Sequence, residues 1–278
     1  VGRQASADIL QHQPGRKRPY HLKLNSWFIT PLIPDDSPTK VSAPSMPRPS
    51  TIPHPGIWSS IFGAFRQNFI PCLFLNALIA ALVASYYFWP PMAGFWQSVA
   101  DFKARWSYLF SCCSTIFSAV LFPFAVQWIM GTLPVEGRLK RLLLLSLFWG
   151  YRGMEIDLLY RIQGMLFGSG HDAATLVKKV AVDQFIYSTL WAVPTYAVVL
   201  RWIHLGGSWS RIRPLLDRHF WTHTCLTILF TNWLVWIPSV ALVYSLPANL
   251  QFPVFAVVMC FFILLVTLLT SGQKAPTT

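Results

Sequence analysis

The sequence predicts an all-α fold, a polytopic transmembrane helical bundle of about six hydrophobic helices behind a disordered N-terminal tail. Three observations predict it. Hydrophobic residues make up 54% of the 278 positions and charged residues only 12%, against roughly 25% charged in a soluble domain. Mean hydropathy is +0.46, too high for a water-exposed surface of this size. Long uncharged runs recur, each near the ~20 residues that cross about 30 Å of hydrocarbon. Together these exclude an ordinary soluble enzyme, a disordered chain and a disulfide-rich secreted domain.

Residues 1–56 read as a basic, proline-rich, disordered tail, with "RPSTIPHPG" typical of it. No apolar run there is long enough for a signal peptide. Asp8, Asp35 and Asp36 disfavour a mitochondrial targeting peptide. The transmembrane domain is placed at 57–273. Its first run, 69–89, ends in Tyr86, Tyr87 and Trp89 followed by Pro90 and Pro91. That is an aromatic belt and a helix stop. The second run, 107–133, contains Pro123, which predicts a kink.

The third segment, 142–167, is apolar at first and then carries Arg152, Glu155, Asp157 and Arg161. Arg152 and Glu155 are spaced i,i+3, and Asp157 and Arg161 i,i+4, so each pair can neutralise itself on the helix surface. Such groups do not face lipid; they point into a bundle, line water or lie beyond the hydrocarbon edge. The fourth run, 184–200, follows Lys178, Lys179 and Asp183. From His219 to Gln273 no Lys, Arg, Asp or Glu occurs, and "LPANLQFP" at 246–253 divides that stretch into runs at 220–244 and 254–270.

The charges fit six spans with both termini on one side. Eight Lys/Arg lie in the tail through Arg66, three at 134–141, four at 201–218 and one at the C-terminus, 16 in all. The other side holds Lys103, Arg105, Lys178 and Lys179. This is the positive-inside bias. It also explains the net charge of +12 by anionic lipid and not by nucleic acid.

Residue chemistry points away from catalysis. No phosphate-binding loop, zinc-protease or nucleophile-elbow motif is present. The five cysteines all sit in apolar runs without a CxxC spacing, and read as small apolar residues. His219 and His223 share a helix face but have no acidic or thiol neighbour in sequence, which disfavours a metal. Glu155 and Asp157, spaced i,i+2, point to different faces and make no acid/base pair. Gly164 and Gly168 have a GxxxG spacing that would allow close helix contact. Asp183 reads either as a helix N-terminal cap favoured by the macrodipole, or as a partner of Arg152 or Arg161 tying the third and fourth spans around a polar lumen. Trp233, Trp236 and Pro238 read as packing and interface anchors. Pro238 frees a carbonyl inside the bundle, and Asn232 is expected to satisfy it.

Four stretches carry a resemblance: "RWSYLFSCCSTIFSAVLFPFAVQ" at 105–127, "RGMEIDLLYR" at 152–161, "KKVAVDQ" at 178–184 and "WLVWIPSVALVYSLPANLQ" at 233–251. In this order they resemble the Mpv-seventeen and 22-kilodalton peroxisomal membrane protein family, over about 105–270. Lys179, Asp183 and Gln184 match that family's Lys and Asp-Gln. Gly153 and Tyr160 match its Gly-Pro-x-x-His-x-Trp-Tyr stretch, with Met154, Asp157 and Leu159 in the Pro, His and Trp places. Trp236 and Pro238 echo its Trp-Pro with Ile237 inserted. Leu246 and Pro247 echo its Val-Pro, with Gln251 where an Arg follows. The resemblance implies a small integral membrane protein, a pore or metabolite channel, and no enzyme activity.

The expected function is therefore a small-solute channel or transport-related protein. Its charged lumen would be lined by Arg152, Glu155, Asp157, Arg161, Asp183 and Gln184. The alternative is a structural or interaction protein in which those groups form a closed ion-pair network. No cofactor is expected. The expected partners are the lipid bilayer, an unidentified small solute and a second copy of the chain. The expected location is a bacterial cytoplasmic membrane, or a mitochondrial inner or peroxisomal membrane in a eukaryote.

Overall fold

The computed structural model describes residues 56–133, 137–170 and 172–272. The tail expected at 1–56 lies outside them apart from Gly56. Every regular element among the described residues is helical. Six long rods follow one another. α1 is Ile57–Phe88. α2 runs Ala93–Ile116, continues through a π turn at Phe117–Leu121, and ends as Phe122–Ile129. α3 is Arg138–Phe167. α4 runs Ala173–Ala181, then a π-helical stretch Val182–Ala192, then Val193–His204. After short turns at Trp209–Ile212 and Arg213–Leu215, α5 opens as a π segment, Phe220–Cys225, and continues as Leu226–Tyr244. α6 is Ala248–Gly272.

Four of these rods hold a stretch long and apolar enough to cross a membrane: 68–88, 90–129, 220–244 and 248–265. The chain is an integral membrane protein. Long exposed side chains within 68–88, such as Ile70, Leu73 and Phe74 of α1, suit contact with lipid. α3 and α4 are as long but less apolar, and they carry Arg152, Glu155, Asp157, Arg161 and Asp183.

Several boundaries differ from those the runs predict. α1 starts at Ile57, well before 69, because helical geometry continues upstream of the uncharged window. It stops at Phe88, where Trp89 leaves helical geometry ahead of Pro90. Pro123 does not break α2. The preceding turn widens instead, and the Phe122 amide donates to the Phe117 carbonyl, the i→i+5 bond of a π turn. "LPANLQFP" is a tight corner and not a long break. The Pro247 carbonyl accepts from the Leu250 and Gln251 amides, at 2.9 and 3.2 Å, so α6 begins at Ala248 and not at 254.

Asp183 does not cap a helix. The cap is Asp172, whose carboxylate accepts from the Thr175 amide at 3.0 Å. Hydrogen bonds from Thr175, side chain and backbone, hold the Asp172 carboxyl below the usual carboxylate range. Asp183 lies well inside the rod that Asp172 starts.

α6 is the central rod, packed against α1, α2, α3 and α5. Its face of Leu250, Val254, Val258 and Ile263 is buried with Leu75 and Ile79 of α1 and Val243 and Tyr244 of α5. α3 packs along α2, and α4 lies against α3 and α5. The carbonyl that Pro238 frees is that of Leu234. It accepts from the Cys72 thiol at 3.3 Å, across from α1. Asn232, expected in that role, bonds elsewhere. Of the five free cysteines, Cys72 and Cys225 are buried, while Cys113 is exposed.

Candidate functional site

The site grows from one face of α3. Trp149, Gly150, Arg152, Gly153, Asp157, Tyr160 and Gln163 are all buried. Their three- and four-residue spacing puts them on one stripe. Tyr151, Leu158 and Met165 face outward. Gly153 sits so close to α2 that a methyl group there would collide with the Ser111 carbonyl and the Thr115 hydroxyl. Gly150 abuts Cys112 and Ile116. Small residues that let backbones approach are the usual adhesive in lipid, where burial of apolar surface gives little drive. The GxxxG spacing at Gly164 is not used this way, since nothing lies within 4 Å of a methyl group there.

That close approach adds Lys103 of α2, which the sequence does not reveal, to the Asp157–Arg161 pair that the i,i+4 spacing predicts. Lys103 of α2, only 6% exposed, places its ammonium 2.7 Å from Asp157 Oδ2. The same oxygen accepts from the Ser111 hydroxyl at 2.8 Å and from Arg161 at 3.2 Å. Arg161 also donates to the Ser107 hydroxyl at 2.8 Å and lies 4.4 Å from the centre of the Tyr108 ring. Ser107 has φ of 44° and ψ of −120°, a non-helical bend inside α2. Lys103 was expected in a loop on the far side. The helix instead starts at Ala93 and carries it into the bundle.

Arg152 faces a different neighbourhood. Its guanidinium donates to both Glu155 oxygens, at 3.1 and 2.9 Å, to the Ala192 carbonyl at 2.7 Å and to the Tyr187 hydroxyl at 3.4 Å. The pairing of Arg152 with Glu155 follows the i,i+3 spacing. The bond to Ala192 ties α3 to the end of the π stretch of α4.

Asp183 reaches neither arginine. Its Oδ2 accepts from the Tyr244 hydroxyl at 2.7 Å and its Oδ1 from the Gln184 amide at 2.8 Å. Tyr244 in turn accepts from Gln163 at 2.9 Å. Gln184 anchors α5: Asn232 donates to its Oε1 at 3.2 Å, and the Trp233 indole donates to its backbone carbonyl at 3.0 Å. Tyr160 meets Tyr244 edge to face, with ring centres 5.1 Å apart. The Lys179 ammonium, one turn before Asp183, lies 5.9 Å from the centre of the Tyr244 ring. No cation forms an ion pair with Asp183 among the described residues; the three ion pairs there involve Asp157 and Glu155.

Arg152, Asp183 and Gln184 line a cavity of about 180 Å³ between α1, α3, α4, α5 and α6. Its other polar edges include Asn68, Tyr187, Ser188, Thr231 and Asn232. Trp149, Tyr160, Tyr196, Trp236, Phe255 and Phe262 supply aromatic wall. Trp236 is fixed by Phe255 and Phe262, with ring centres 5.5 and 5.8 Å away.

The residues expected to share one lumen therefore divide. Arg152, Asp183 and Gln184 face the cavity. Glu155 stands behind Arg152, and Asp157 and Arg161 belong to the triad with Lys103. Tyr160 and Trp236 form wall, Trp233 holds Gln184, and Pro247 starts α6.

His219 and His223 stack with ring centres 4.7 Å apart, and His223 meets the Ser60 hydroxyl at 3.3 Å. Among the described residues no group of three or more His, Cys, Asp or Glu is placed to hold a metal ion. An apolar cavity with a few convergent polar groups is the usual form of a small-molecule site. Comparisons with protein-family models, with curated proteins and with solved structures find no match to this chain.

Proposed function

We propose that this membrane protein moves a small solute, and that the cavity lined by Arg152, Asp183 and Gln184 is where the solute binds. The carrying observation is a cavity of about 180 Å³ inside an apolar bundle, with the Asp183 carboxylate and the amide side chains of Asn68, Gln184 and Asn232 on its wall. Polar groups at membrane depth are costly, and they mark solute or ion paths in bundles of this kind. The reading includes the six-pass topology with both termini on the Lys/Arg-rich side. It also includes the resemblance to the Mpv-seventeen family and the absence of an enzymatic reaction.

The test is flux in proteoliposomes carrying the purified protein, using neutral, cationic and anionic small solutes. Protein-dependent flux that changes in an Asp183→Asn variant with unchanged folded yield is the expected result. Correctly folded protein that moves none of these solutes would overturn the reading.

A second reading, a structural membrane protein with closed ion pairs, draws on the Lys103–Asp157–Arg161 triad. Those charges satisfy one another away from the cavity. Such a network fixes helix register. Under that reading, Asp183→Asn and Asp157→Asn both lower folded yield and neither changes any flux.

A further inference from the structure

The cavity wall carries two charged side chains, and only one is compensated among the described residues. Arg152 has Glu155 at 2.9 Å, and its amino groups are engaged by Glu155, Ala192 and Tyr187. Asp183 has hydrogen-bond donors but no ion-pair cation. An ionised carboxylate offers about four acceptor positions, and Tyr244 and Gln184 fill two. Two hydrogen bonds away, through Tyr244, the Gln163 Oε1 is buried without a partner. Asp183 is therefore the one carboxylate on the wall, with acceptor positions left over and no ion pair among the described residues.

The wall also includes the rings of Tyr160 and Trp236, while the ring of Tyr187 is already faced by Arg152 at 5.9 Å. Ring faces attract cations, most strongly where water is excluded. A compact apolar cation satisfies both features. An anion would meet Asp183, and a neutral apolar molecule would leave its charge uncompensated.

We propose that the cavity binds a compact organic ammonium ion, its charge against Asp183 and its alkyl groups against the rings of Tyr160 and Trp236. This rests on the cavity being the solute site, and it names the solute's chemical class.

The test uses the full chain in lipid nanodiscs, with choline and tetramethylammonium as probes. Controls are the uncharged tert-butyl isostere of choline and acetate. Calorimetry should show both cations binding on the order of tenfold more tightly than the isostere, and no binding of acetate. Asp183→Asn should abolish the preference for charge. Trp236→Leu, which keeps the wall apolar, should weaken the cations several-fold more than the isostere; it serves if Asp183→Asn does not fold.

Equal binding of choline and its isostere, or binding of acetate in place of both, overturns the inference. So does cation binding that survives both substitutions. Flux of neutral or anionic solutes without ammonium binding sinks the inference and leaves the transport reading standing. Ammonium binding without flux of any solute does the reverse.

Discussion

Lys103 of α2 and Asp157 of α3, both nearly devoid of exposure, meet at 2.7 Å between the two helices. Removing one partner of a buried pair leaves a bare charge and costs about 3–5 kcal/mol, whereas replacing both by apolar groups is often neutral. Asp157→Leu should therefore collapse folded yield. Adding Lys103→Met should restore most of it, because Arg161 is partly exposed and can turn to water or to Ser107. Size-exclusion profiles and melting curves in detergent measure this. A double variant no better than the single would count against the triad as drawn.

Gly153 should not tolerate a methyl group. Gly153→Ala must push α3 off the Ser111 carbonyl, and overpacking of this kind costs about 1–3 kcal/mol. Gly164→Ala, on the same helix with open space, should instead stabilise by up to about 1 kcal/mol through helix propensity. Opposite shifts in melting temperature are the expected pattern.

Tyr244→Phe removes the donor to Asp183 Oδ2 and the acceptor of the Gln163 amide. Two buried polar groups are then left short of a partner, at about 1–3 kcal/mol each. Thermal melting should fall accordingly, and flux should change in the same direction as in Asp183→Asn. Wild-type melting in this variant would mean that the hydroxyl is not in the chain of bonds.

Cys72 and Pro238 should be coupled. Pro238 withholds the amide that Leu234 O would otherwise receive, and the Cys72 thiol takes its place. Cys72→Ala alone should destabilise. In a Pro238→Ala background, where the helix amide returns, it should cost less. A coupling of about 0.5–1 kcal/mol in the double-mutant cycle is expected; additivity would remove the link.

Asp172 gives a pH signature at the water-exposed start of α4. Its folded carboxyl titrates below the ordinary value of about 3.9. The cap is thus complete above that value and is lost as pH falls through the lower, folded one. The Thr175 amide resonance should shift across that acid range in wild type and stay flat in Asp172→Asn.

How much was legible in the sequence follows from what each signal encodes. Apolar runs reveal the rods, because hydrocarbon thickness sets their length. The i,i+3 and i,i+4 spacings paired Arg152 with Glu155 and Asp157 with Arg161, because both contacts are local. Hydropathy alone places Lys103 in a loop, because an uncharged window does not report where its helix starts. The division of the charges between triad and cavity depends on which rod each face of α3 meets, a long-range fact. Gln184 to Trp233 and Tyr244 to Asp183 are of that kind too. The Cys72 bond to Leu234 had a readable cue in Pro238, but the donor lies far upstream.

The widened stretch Val182–Ala192 carries a consequence for how this chain can diverge. It takes more residues per turn than an α-helix, and its two ends present the Gln184 and Ala192 carbonyls to Trp233 and Arg152. Loss of a single codon within it would rewind the rod towards ordinary α pitch, in which each residue turns the chain by about 100°. The half carrying Asp183 would then swivel against the half carrying Tyr196. The length of this short interval is thus part of what gives the chamber its shape.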